Sequence, residues 1–242
     1  MPSTTIETLA GAPAPGRLIV ADSGESLGPL AALLPGKFVV FEGPDGSGKS
    51  TQFSHLAQLC RDAGIEVCEV REPGGTEISE RIRDVLLDHH KSEMALRCEM
   101  LLYMASRAQL VEEKIRPALA RGAVVLADRF VSSTYAYQGT AGGIPKSDID
   151  AVAKVVCGDT WPNLVLIFDV DSATAAKRMG RDLDRMESKG AAFHANVRQG
   201  YLDQATAEPG SHLVIDARGD EAGVFAAMMA SLRDWAARQP SN

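Results

Sequence analysis

The chain has 242 residues, 45% of them hydrophobic and 24% charged, which suits one globular domain with an ordinary core. A formal net charge of −7 argues against sequence-independent nucleic-acid binding, which needs a basic face, yet leaves room for a local basic patch around a small anion. Cys60, Cys68, Cys98 and Cys157 form neither a C-x-x-C pair nor a zinc-spaced cluster, so they read as reduced thiols of a cytoplasmic protein.

Residues 1–36 are rich in Ala, Pro and Gly and end at Pro35-Gly36. They show no basic leader and no bilayer-length apolar run. They are expected to be a flexible extension outside the domain, with Arg17–Ala21 as a possible short strand. From residue 37 to about 238, short β-branched runs alternate with helical periodicity. Strands are predicted at 37–42, 66–70, 123–128, 164–170 and 212–216. Helices are predicted at 50–63, 76–88, 93–121, 146–157, 172–180, 191–207 and 220–238, with Pro117 placed to kink the long one. Residues 239–242 form a short tail. This alternation predicts an α/β fold with a five-stranded parallel sheet and helices on both faces, with ligands beyond the carboxyl ends of the strands.

The first strand runs into Gly43-Pro44-Asp45-Gly46-Ser47-Gly48-Lys49-Ser50, a full G-x-x-x-x-G-K-[ST] phosphate-binding loop, and Thr51 continues into a helix. Its glycines let backbone N–H groups converge on phosphates, and the helix N-terminus adds a favourable dipole. Lys49 is expected to reach the β- and γ-phosphates of a nucleoside triphosphate, and Ser50 to ligate Mg2+. After the second strand, Arg71 opens Arg-Glu-Pro-Gly-Gly-Thr, as either a phosphate fork or a solvated loop arginine. Tyr103 and Arg107 share a helix face, where a ring and a guanidinium can hold a planar base or simply edge the core. Asp128 and Arg129 close an apolar strand, a position suited to Mg2+ support and a second phosphate clamp. Thr134, Tyr137 and Gln138 gather hydroxyl, phenol and amide groups nearby. The charged stretch 177–185, with Arg178, Arg181 and Arg185, joins two helices as either a solvated face or a short lid of about 178–190.

These motifs, in this order and spacing, resemble the thymidylate kinases over roughly residues 37–238. The strongest parts are F-E-G-P-D-G-S-G-K-S-T, R-E-P-G-G-T, L-L-Y-M-A-S-R-A-Q-L, D-R-F-V-S-S-T-Y-A-Y-Q-G and L-D-R-M-E. The resemblance implies a P-loop NTPase-type three-layer fold. It implies transfer of the ATP γ-phosphoryl to dTMP with Mg2+, by a homodimer that needs neither nucleic acid nor membrane. It also implies residue roles. Gly43 to Thr51 bind ATP, and Asp45 faces the acceptor. Arg71 and Arg129 grip the dTMP phosphate, and Asp128 supports Mg2+. Tyr103 stacks on thymine, and Arg107 bonds a thymine carbonyl. Thr134 and Gln138 line the base pocket, and Tyr137 crowds the 2′ position. Asp184 and Arg185 belong to the lid, with Arg185 near ATP, and Tyr201 packs toward the acceptor. Tyr103 stands where many members have Phe. Gly46 stands where one branch has a catalytic Arg, which shifts that role to Arg178, Arg181 or Arg185. A kinase for another nucleoside monophosphate and a nucleotide-driven switch are the competing readings; no N-K-x-D guanine motif is present.

Overall fold

The computed structural model describes residues 26–88, 93–178 and 184–239. The five apolar runs are strands: β1 (Phe38–Glu42), β2 (Val67–Arg71), β3 (Val124–Asp128), β4 (Leu164–Asp169) and β5 (His212–Asp216). They pair in the order β2-β3-β1-β4-β5, every neighbouring pair parallel. All five residues of central β1 are buried. Phe38 and Val40 face one core cluster, with Met104, Phe130 and Tyr201, while Val39 and Phe41 face the other, with Phe53, Leu56 and Met228. Burial on both faces is why β1, β3 and β4 read as continuous apolar runs, whereas the edge strands β2 and β5 are mostly half-buried or exposed.

Between the strands lie α1 (Leu30–Leu33), α2 (Lys49–Asp62), α3 (Glu77–Leu87), α4 (Leu96–Leu110), α5 (Arg116–Ala120) and α6 (Val131–Thr134). They are followed by α7 (Lys146–Cys157), α8 (Ser172–Arg178), α9 (Ala191–Ala207) and α10 (Glu221–Ala237).

Three expectations change. The predicted helix over 93–121 is α4, a π-helical turn at Val111–Ile115, and α5, which starts with Pro117 in its first turn. Proline cannot donate to the preceding turn, and the wider turn before it accommodates that loss. Ser133 to Gly139, where no helix is predicted, is helical: it runs from α6 into a π-helical segment at Tyr135–Ala141. The part of the extension from residue 26 onward is packed into the domain. Leu27, Leu30 and Leu34 are buried in the core face that holds Met229 and Leu232 of α10, and Gly36 donates its N–H to the Gly122 carbonyl at 2.9 Å. The suggested strand at Arg17–Ala21 and the end of the tail, 240–242, lie outside the described residues.

Candidate active site

The site grows from the carboxyl ends of β1, β2 and β3. Beyond β1 the chain turns through Gly43–Gly48 into α2, whose N-cap Gly48 is left-handed at φ +81°. Gly46, at φ +77°, packs so closely that a Cβ there would run into the Ala175 carbonyl of α8. Lys49, at the start of α2, places Nζ 3.7 Å from Asp45 Oδ1 and 3.9 Å from Asp128 Oδ1. Ser50 Oγ donates to Asp128 Oδ2 at 3.4 Å. Asp128 Oδ1 is buried with no hydrogen-bond partner among the described residues. A hydroxyl beside an under-satisfied carboxylate is an oxygen donor set that suits a hard divalent cation.

Arg129 follows directly, at φ +72°, an uncommon conformation for a residue with a Cβ. Its N–H donates to the Phe41 carbonyl, which ties the turn to β1. The guanidinium forms an ion pair with Asp45 and donates to the Gly43 carbonyl and the Tyr201 hydroxyl, both at 3.1 Å. It also lies 5.3 Å from the centroid of the Tyr137 ring. Burial alone would raise the Asp45 pKa, but Arg129 and Lys49 overcome it and hold that carboxyl well below the usual range. Below Arg129, fully buried Glu42 accepts from the Phe130 N–H (2.8 Å), Ser133 Oγ (2.6 Å) and Tyr201 OH (2.9 Å). Burial raises its pKa, against the opposing field of Arg129.

One cleft of about 240 Å3 brings together Lys49, Arg71, Asp128 and Arg129 with Tyr103 and Gln138. Thr134 and Tyr137 also line it, as do Asp45 and Ser50. Thr134, Tyr137 and Gln138 meet there because they are three and four residues apart on one helical face. Arg71 is held by Glu80, to both of whose oxygens it donates at 2.9 Å. Tyr103 is shielded enough that desolvation, reinforced by Glu99, raises its phenol pKa.

Two expected contacts differ. Arg107, 1% exposed, does not line the cleft. It lies behind the wall, donating to Glu72 from Nε at 2.8 Å and to Thr134 Oγ1 at 3.1 Å. Arg185, expected near ATP, is instead bonded to the end of α3 and to α4. Its Nε donates to the Leu86 carbonyl at 2.8 Å and its Nη1 to Glu99 at 2.6 Å. Arg178 does stand beside the phosphate loop. It shares a second cleft of about 300 Å3 with Ser47, Gly48, Thr51 and Gly219, and donates to the Ala217 carbonyl at 2.8 Å. Arg181 lies outside the described residues.

Sequence reasoning missed Arg83 and Glu99. Arg83 lines the cleft from α3 and donates to the Pro73 carbonyl at 2.8 Å. Both sit in helices where a charge ordinarily marks the solvent side, and only the packing of α3 against α4 turns them inward.

The sequence model of the family described as Thymidylate kinase matches residues 41–226. The chain is 48% identical over 186 residues to a thymidylate kinase of Pseudomonas fluorescens, covering 76% of this chain and 89% of that protein. It is 46% identical over 203 residues to one from Pseudomonas entomophila, covering 82% and 96%. A crystal structure of thymidylate kinase from Ehrlichia chaffeensis superposes with a TM-score of 0.66 at 32% identity, covering 81% of this chain and 98% of that one.

Proposed function

The chain belongs to the thymidylate kinase family, and from that premise we propose how its clefts carry out ATP-dependent phosphorylation of dTMP to dTDP. The observation that carries the reading is the convergence of Lys49, Arg71, Asp128 and Arg129 on one cavity that Tyr103 and Gln138 also line. A cationic end beside a ring and an amide suits a nucleotide held phosphate-inward.

ATP lies along the phosphate loop, with its γ-phosphoryl toward Lys49 and its remainder toward the second cleft beside Arg178. dTMP lies in the first cleft, its phosphate met by Arg129 and Arg71 and its base against Tyr103. A dTMP phosphate oxygen attacks the γ-phosphorus in line; that P–O bond forms as the bond to the β-phosphate oxygen breaks, and ADP leaves. A monophosphate oxygen is already nucleophilic near neutral pH, so the protein's task is to align two anions and offset their repulsion. Asp45 acts by aiming Arg129, and Tyr137, hydrogen-bonded to Asp45 at 3.2 Å, crowds the sugar. Ser50 and Asp128 are the residues that would hold Mg2+, which would supply further neutralisation of the phosphate charge.

The reading carries a homodimer with it. Ile78, Leu101 and Val155 are exposed on the neighbouring helices α3, α4 and α7, an apolar face suited to a second copy of the chain. It also carries a cytoplasmic location, in keeping with the four free cysteines. No helix among the described residues is long and apolar enough to cross a membrane.

The test is ADP formation from ATP with dTMP, dUMP, UMP, dCMP, AMP or GMP as acceptor, and with none. dTMP should have the highest kcat/KM, with little turnover without an acceptor. A different best acceptor would sink the base-pocket assignment.

A further inference from the structure

Glu99 is 2% exposed on α4, and both of its oxygens are engaged. Oε1 accepts from Gln138 Nε2 at 2.8 Å. Oε2 accepts from Arg185 Nη1 at 2.6 Å and lies 3.6 Å from Lys189 Nζ. Two cations thus fix the carboxylate from one side while it takes a hydrogen bond from the cleft wall on the other. A carboxylate offers only acceptors, so the Gln138 amide must turn its NH2 toward Glu99. Gln138 itself lines the cleft, and the end of its amide left for the occupant is the carbonyl oxygen.

We infer that Glu99 is a positioning residue that fixes the amide of Gln138 as a hydrogen-bond acceptor, so that the cleft selects bases presenting an N–H at that edge. Thymine and uracil carry such a donor at N3. Cytosine presents a bare acceptor there and would meet the Gln138 oxygen lone pair to lone pair. The inference rests on the proposed seating of the base against Gln138.

Glu99→Gln makes a sharp test. Arg185 and Lys189 demand an acceptor, so the new amide should keep its oxygen toward them and turn its NH2 to Gln138. Gln138 must then flip, presenting its NH2 to the base. The ratio of kcat/KM for dTMP to that for dCMP should fall by about tenfold or more, the scale of one well-placed polar contact. dUMP should fall in step with dTMP, because it shares the N3–H and lacks only the methyl. The exchange Glu99→Gln with Gln138→Glu should restore the preference for dTMP, since the new carboxylate accepts on both sides. That exchange also serves if the single variant fails to fold; a preference for dCMP in it would overturn the inference. Gln138→Ala separates the two levels. An unchanged dTMP/dCMP ratio in that variant defeats the base seating itself. A collapsed ratio there beside an unchanged ratio in Glu99→Gln defeats the role given to Glu99.

Discussion

Asp45 and Arg129 form an ion pair in the wall of the cleft, and Tyr137 donates to the remaining Asp45 oxygen at 3.2 Å. The acid comes from the loop after β1 and the base from the turn after β3, so the pair joins the two neighbouring central strands at their functional ends. Asp45→Asn keeps the shape and removes the charge that aims the guanidinium. kcat/KM for dTMP should drop on the order of 10–100-fold, the effect of a misplaced transition-state group, while KM for ATP changes little. A parallel rise in both KM values would show that Asp45 serves the loop as a whole.

Asp128 and Ser50 should govern the metal requirement. Asp128→Asn is expected to raise the Mg2+ concentration for half-maximal rate by about 10-fold or more, given how strongly the shells around a metal affect its binding. A Mg2+ titration at saturating ATP and dTMP measures this, and an unchanged midpoint would remove Asp128 from the metal's surroundings.

The arginines expected in a lid divide by place. Arg178 stands at the phosphate loop, whereas Arg185 is anchored on Glu99 and Leu86. Arg178→Ala should lower kcat on the order of 10³-fold if it stabilises the transferred phosphoryl group as arginine fingers do. Arg185→Ala should act mainly through KM for dTMP. Near-normal kcat in Arg178→Ala, with a large loss in Arg181→Ala, would transfer the role to Arg181.

Glu72 supplies a pH signature. Burial pushes its pKa up to about 7 despite Arg107, and its Oε1 is buried without a hydrogen-bond partner among the described residues. In the folded state it therefore keeps a proton that the unfolded chain releases near 4.5. Its contribution to stability is present below about 4.5 and lost as pH rises through about 7. Urea unfolding from pH 5 to 7 should show a falling component of at most about 1.4 kcal/mol per pH unit, absent in Glu72→Gln. Parallel profiles for the two proteins would dismiss it.

Gly46→Ala should be severely impaired. At φ +77° a side chain is strained, and its Cβ would strike the Ala175 carbonyl, which is backbone and cannot swing aside. A loss of about 2 kcal/mol in unfolding free energy is expected, with kcat falling as α8 is pushed from the loop. Wild-type stability and rate together would contradict this packing.

The central strands β1, β3 and β4 were legible because they are buried almost throughout and read as unbroken apolar runs; the half-exposed edge strand β5 still matched to the residue through Leu213-Val214-Ile215. The phosphate loop was legible because its glycines answer to local backbone needs. Strand order was not legible, since pairing depends on crossovers rather than on any strand's own composition. Pro117 announced a disturbance, but the π turn that absorbs it is a cooperative matter of several residues. Arg107 was recognised from its spacing to Tyr103, yet its burial on Glu72, brought from β2's loop, is a tertiary fact. Glu42 and Glu99 were invisible as site residues for the same reason: their partners stand 91 and 39 positions away in the chain.

The left-handed backbone at Arg129 carries a consequence for anyone selecting hardier variants. Glycine is the residue most comfortable at that torsion, but Arg129→Gly would set the relief of local strain against a largely buried Asp45 carboxylate stripped of its cation. A screen that rewards heat resistance alone should therefore keep the arginine, and the awkward torsion with it, for the sake of the carboxylate it neutralises.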